Sequence, residues 1–204
     1  MKRVVLLLFV LGLAGACGST PPPVKLVEEW PANPPSYADA TDAWTRRSSL
    51  RGQYQEVLEL AATFKSPEWR AARATRDADY RNLTGEQRQA FIEQARAEAA
   101  GPYEVELMIT TWDRRENDLD RGKRSVWGVV LIDQNGTQVQ PLEIVKDRRP
   151  PFTVRADFPA LGDFATAYIA RFPRTTPLLG PDVRKLRLRF FGVRGSVEVE
   201  WDAP

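Results

Sequence analysis

The chain has 204 residues, with 29 Lys and Arg against 27 Asp and Glu, a single cysteine and no histidine. Without histidine, Ser-His and Cys-His catalysis, His-ligated zinc and the commonest general base near neutral pH are excluded. With one cysteine no disulfide framework can form, so the fold must rest on its core alone. Motifs for a nucleophile elbow (GxSxG), an SxxK pair, a dinucleotide fingerprint (GxGxxG) and a phosphate loop (GxxxxGK[ST]) are all missing, and no cofactor is expected.

The first residues read MKRVVLLLFVLGLAGAC. Lys2 and Arg3 precede an apolar run, Val4 to Leu13, and Ala14, Gly15 and Ala16 lead into Cys17. This is a secretory signal peptide, too short to span a bilayer, which takes roughly 20 apolar residues. The ending resembles the lipobox of bacterial lipoprotein precursors, although the family's usual Leu three residues before the cysteine is here Ala14, with Leu13 one position earlier. The resemblance covers the leader only. It implies cleavage after Ala16, a diacylglyceryl thioether on Cys17 with further acylation (palmitate or a similar chain) of the new amine, and hence stable anchoring, since two or three chains hold where one does not. Gly18, in the place where Asp would signal retention, implies the outer membrane rather than the inner, with either face of it open. Loss of Lys2 and Arg3 with the leader would leave 27 basic residues against 27 acidic ones. A neutral chain of interspersed sign is a poor nucleic-acid partner, and no polybasic run flanks the anchor.

Three parts follow: residues 1–16 as leader, 17–37 as a lipid-anchored Pro-rich tether, and 38–204 as one domain. Six prolines between Gly18 and Tyr37 favour an extended spacer that holds the domain off the bilayer. A short helix is expected from Ala38 to Arg47 around Trp44. Tyr54 to Phe64 alternates as a strand, with Leu58, Leu60, Ala62 and Phe64 on one side, a helix being the alternative because Glu, Leu and Ala favour one. Ser66-Pro67-Glu68 is a helix start, and the helix should run to about Asn82 with Trp69, Ala72 and Tyr80 inward. Thr84 and Gln87 form a capping box for a second helix carrying Phe91, Ile92, Ala95 and Ala99, ending at Gly101-Pro102.

Beyond Pro102 the period becomes two. Tyr103, Val105, Leu107 and Ile109 face one way, with Glu104 and Glu106 opposite, and Val126 to Ile132 is apolar on both faces like a central strand. Asn135-Gly136 is a hairpin turn. Val139 to Lys146, Phe152 to Phe158, Ala165 to Phe172, Arg184 to Phe191 and Ser196 to Trp201 complete the series. A turn at Val193-Arg194 sets Leu186 against Trp201, Leu188 against Val199 and Phe190 against Val197. On the other side Arg187 then meets Glu200 and Arg189 meets Glu198, whereas a one-residue slip would oppose leucines to glutamates. The fold expected is mainly β with α: an antiparallel, Ig-like β-sandwich (54–64 plus 103–204) with a two-helix insertion, about 67–99, after its first strand.

For function, the polar loop from Trp112 to Arg121 offers Asp113, Asn117, Asp118 and Asp120 as oxygen ligands for calcium. Its three arginines oppose a cation, and the EF-hand spacing is missing, so a salt-bridged loop is the preferred reading. Trp69, Trp127 and Trp201 belong to core faces, which leaves Trp30, Trp44 and Trp112 as a surface for glycan stacking or a partner. Lys146 to Pro151 is basic and kinked, and reads as a solvated connection. The leading expectation is a non-catalytic, lipid-anchored envelope module that binds another envelope protein. A carboxylate-based glycan hydrolase would instead show two close carboxyls with a raised pKa in a cleft, and a carbohydrate-binding module would show coplanar exposed tryptophans.

Overall fold

The computed structural model describes residues 21–204; the expected leader and lipobox, with Cys17, lie outside the described residues. Within them, two antiparallel sheets pack as a sandwich. One sheet has five strands in the order β1-β2-β3-β7-β6: β1 (Thr45–Arg51), β2 (Glu56–Phe64), β3 (Tyr103–Thr111), β7 (Thr166–Phe172) and β6 (Glu143–Lys146). The other has four, in the order β5-β4-β8-β9: β5 (Gln138–Val139), β4 (Trp127–Ile132), β8 (Lys185–Gly192) and β9 (Gly195–Asp202). Alternate residues of β2, β3 and β7 (Leu58, Leu60, Phe64, Val105, Leu107, Ile109, Tyr168, Phe172) meet Val129, Leu131, Leu186, Leu188, Phe190, Val199 and Trp201 of the second sheet in a closed core. No helix among the described residues is long and apolar enough to cross a membrane.

The helices of the described residues are α1 (Tyr37–Trp44), α2 (Pro67–Tyr80), α3 (Gly85–Ala99) and α4 (Pro151–Asp157); α2 and α4 cover part of the five-stranded sheet's outer face, and α3 packs on α2. Ser36 and Ser66 cap α1 and α2, their hydroxyls accepting from the amides of Asp39 and Trp69. Trp69 stacks on Phe158 with centroids 5.5 Å apart, and its indole N–H donates to Thr41, so α1, α2 and the end of α4 share one aromatic centre.

The last hairpin has the expected register at every pair, from Leu186 opposite Trp201 to Gly192 opposite Gly195. The Asn135-Gly136 turn also forms; Gly136 takes φ +88°, and Asp133 Oδ1 accepts the amides of Asn135 and Thr137.

Elsewhere the structure corrects the expectations. The tether is not a free spacer: Val24 and Leu26 are buried in the core cluster, the Val24 amide donating to the Asp202 carbonyl at 2.8 Å and the Leu26 carbonyl accepting from Gly180 at 2.7 Å. The first helix stops at Trp44, and Thr45–Arg51 is a strand, so the helical insertion follows the second strand. That strand lacks the apolar alternation because its inner position is Arg46, whose buried guanidinium donates to the carbonyls of Glu200, Ala43, Thr45 and Pro22. Tyr80 lies exposed; Ala71, Ala74 and Ala78 join Trp69 and Ala72 on the buried face of α2. Thr84 makes no side-chain cap, so the capping box does not form, and α3 buries no residue fully.

Val139 to Lys146 is broken at Pro141, and its halves belong to different sheets. Phe152 to Phe158 is not a strand but the helix α4: Pro151 fits the first helical turn, and Val154 and Phe158 turn inward four residues apart while Phe152 faces solvent.

Candidate functional site

The outer face of the five-stranded sheet holds two contrasting sets of charge. Under the helices, Glu106 of β3 is fully buried, and Lys65 Nζ lies 2.9 Å from its Oε2, close enough for an ion pair though poorly aligned for a hydrogen bond. Lys65 also reaches Glu104, which accepts from Arg70 and Arg171. The carboxylate of Asp157, at the end of α4, collects Arg73 and Arg76 of α2 and Arg149. Arg149 in turn forks onto Asp147. Lys146 to Pro151 is therefore no solvated connection: it brings Asp147 and Arg149 into a network that staples α2 and α4 to the sheet.

Burial pushes the Glu106 carboxyl up, and the nearby Asp147 charge adds to this against the pull of Lys65. For Glu104 burial also acts upward, but the charges of Lys65, Arg171 and Arg70 outweigh it and hold the group at about 2. Burial raises and three arginines lower Asp157, with the arginines dominant. Glu106 and Asp147 are thus neighbouring carboxyls, one with a raised pKa, as a glycosidase would need. Neither lines the groove described below or the three hollows found elsewhere among the described residues.

Beyond the helices the same face is open. Two adjoining cavities, each of about 370 Å³, share Glu56, Glu59 and Thr110 and form one groove. Ala61 and Met108 make its buried floor, Arg47 and Ser49 of β1 one wall, and the Ala160 to Ala165 loop the other. At its mouth stand Trp112 and Phe164, each 70% exposed, with the Arg114 guanidinium 5.3 Å from the Phe164 ring centre.

Strict alternation would put Glu56 and Glu59 on opposite faces. The register of β1 with β2 slips at Leu50 and Arg51, leaving Val57 as the extra residue of a bulge, and both carboxylates come to line the groove. The Val57 carbonyl accepts from the Trp112 amide at 3.1 Å, which fixes the tryptophan beside them. Among the described residues, Arg47, Glu56, Glu59 and Arg114 have no side-chain hydrogen bond and no ion-pair partner within 4.0 Å. No known protein family, curated protein or solved structure matches this chain.

Of the residues singled out from the sequence, Trp112 lies at the groove. Trp30 is half-buried and apart from it. Trp44 is wholly buried, with its indole N–H donating to Glu68 at 2.8 Å, and leaves the surface set: the turn from α1 into β1 points it into the core against Phe64. The calcium candidates are spent on structure. Asp113 caps a short turn and pairs with Arg115, and Asn117 bridges the Ile109 carbonyl and the Tyr168 hydroxyl. Asp118 accepts from Ser125 and Val126, and Asp120 pairs with Lys146 at 3.5 Å. No group of three or more potential metal-binding side chains converges among the described residues.

Sequence reasoning missed Arg47, Glu56, Glu59 and Phe164. Glu56 carried no signal, since only the bulge turns it; Glu59 did, as the one acid inside an otherwise apolar stretch of β2.

Proposed function

We propose that this protein is an exported envelope lipoprotein, held by lipid on Cys17 at the outer membrane, and that it works as a non-catalytic module receiving a segment of another envelope protein in the groove of its five-stranded sheet. One observation carries the reading: a groove with an apolar floor of Ala61 and Met108, four charged side chains without internal partners, and two exposed aromatic rings at its mouth. Exposed aromatics and arginine beside an apolar floor are the composition of a protein-recognition centre. Mixed charge and a hydroxyl suit a polypeptide, which offers both signs and backbone amides.

The rival readings find less support. Five of the six tryptophans are buried or half-buried, so no coplanar aromatic platform for a sugar is formed. The carboxyl with the raised pKa, Glu106, is shut away from the groove. The test is crosslinking in intact cells and capture of the tagged full-length chain, beside Cys17→Ala and Trp112→Ala forms. A defined envelope protein captured by the wild type and lost in the Trp112 form is expected. Equal capture by wild type and Trp112→Ala would refute the groove as the contact.

A further inference from the structure

The chain enters the fold close to the position assigned to the lipid. Pro22 is the first residue held, its carbonyl accepting from Arg46, which also grips the Glu200 carbonyl; two residues on, Val24 bonds to Asp202. Pro22 and Val24 thus run beside Glu200 and Asp202 in the same sense as β9, and the chain comes in from the end where β9 begins. Five residue steps separate Cys17 from Pro22, a reach of at most ~18 Å. Five steps along β9, from Glu200 back to Gly195, cover ~17 Å. A lipid on Cys17 can therefore come level with the β8–β9 turn but not far past it, and the body has no slack to stand away from the bilayer.

That end of the sandwich has the composition of a membrane interface. The β1–β2 and β8–β9 turns lie side by side, with Gly195 against Leu50, and present Tyr54 and Val193 at 89% and 92% exposure. Around them Arg51, Lys123 and Arg124 are exposed and, among the described residues, make no ion pair. The sequence places no basic cluster beside the anchor, but the fold gathers one there from two distant segments. An aromatic ring and an aliphatic tip set among cations match the headgroup layer of an anionic membrane.

We infer that the Tyr54 and Val193 turns rest in the headgroup region of the bilayer that holds Cys17, with Arg51, Lys123 and Arg124 against its anionic lipids. The inference rests on the reading of Cys17 as the lipid anchor. It sets the groove beside the membrane surface, so the partner segment is met within a few tens of ångströms of the bilayer.

The test uses the full lipidated chain, with the mass of the lipid on Cys17 verified, in vesicles of 70% phosphatidylcholine and 30% phosphatidylglycerol. An environment-sensitive dye is attached in turn through Tyr54→Cys, Val193→Cys and Asp182→Cys, the last at the opposite end of β8. Several-fold brighter, blue-shifted emission at 54 and 193, quenched by brominated lipid, is expected, with no change at 182 and a weaker response in vesicles lacking phosphatidylglycerol. A lipidated, vesicle-bound chain in which 54 and 193 behave like 182 overturns this orientation and leaves the anchor standing. A chain from cells that carries no lipid on Cys17 overturns the anchor and the orientation together.

Discussion

The covered and open halves of one sheet face differ in how they treat charge. Beneath α2 and α4, Glu106, Glu104, Asp157 and Asp147 each face at least one cation, and burial makes each pairing costly to break, because a lone charge there has little water to replace its partner. Beyond the helices, Glu56, Glu59, Arg47 and Arg114 stand unpaired and solvent supports them. The same residue types are mortar in one half and free valence in the other. What separates them is cover.

The largest expected effect lies in the covered half. Asp157→Ala removes the carboxylate that Arg73, Arg76 and Arg149 share and should lower stability by about 3 kcal/mol in urea unfolding, at the low end for a broken buried pair because the arginines keep Asp77 or Asp147 and some solvent contact. A loss below 1 kcal/mol would mean the network is ornamental. Next comes acid. Glu104 at about 2 lies below its unfolded value of ~4.3, so its contribution is complete above that value and is lost as pH falls through the folded one. The unfolding midpoint should fall between about pH 4 and 2, and Glu104→Gln should flatten that limb. Glu106 runs the other way: with its pKa raised, its contribution is complete in acid and is lost as pH climbs through the folded value.

In the open half the effects move from stability to binding. Trp112→Ala should cost about 2 kcal/mol of partner affinity, roughly thirtyfold, at an unchanged melting temperature. Smallest of all, Glu59→Gln should shift stability by no more than about 0.5 kcal/mol. A clear loss there, read by the same urea titration, would show that the groove charges hold the fold after all.

Legibility in the sequence followed the same division. Where a strand is apolar on one side and charged on the other, as in β8 and β9, register is forced, and each expected pair is found. The two sheets and the helical insertion followed from period and punctuation. Beside the strand from Val139 to Lys146, which Pro141 divides between the sheets, three elements went astray for physical reasons. Strand β1 hides a buried arginine at its inner position, α4 starts with a Pro-Pro step that reads equally as a break between strands, and the Pro-rich stretch carries Val24 and Leu26 into the core. The groove was legible only through Trp112, because Glu56 enters it by a bulge and Phe164 by a loop that no periodicity describes.

The seam between Val24 and Asp202 also sets an order of assembly. A segment from the start of the described chain and one from its far end close over the same core, where Trp201 and Leu26 are both buried. The sandwich therefore seals only once β9 has been made, and until then its apolar faces stay open to aggregation and to holding factors. Closure of this seam acts as a clasp fastened last, so a chain cut short before Trp201 should be surrendered to proteolysis rather than kept as a partly working domain.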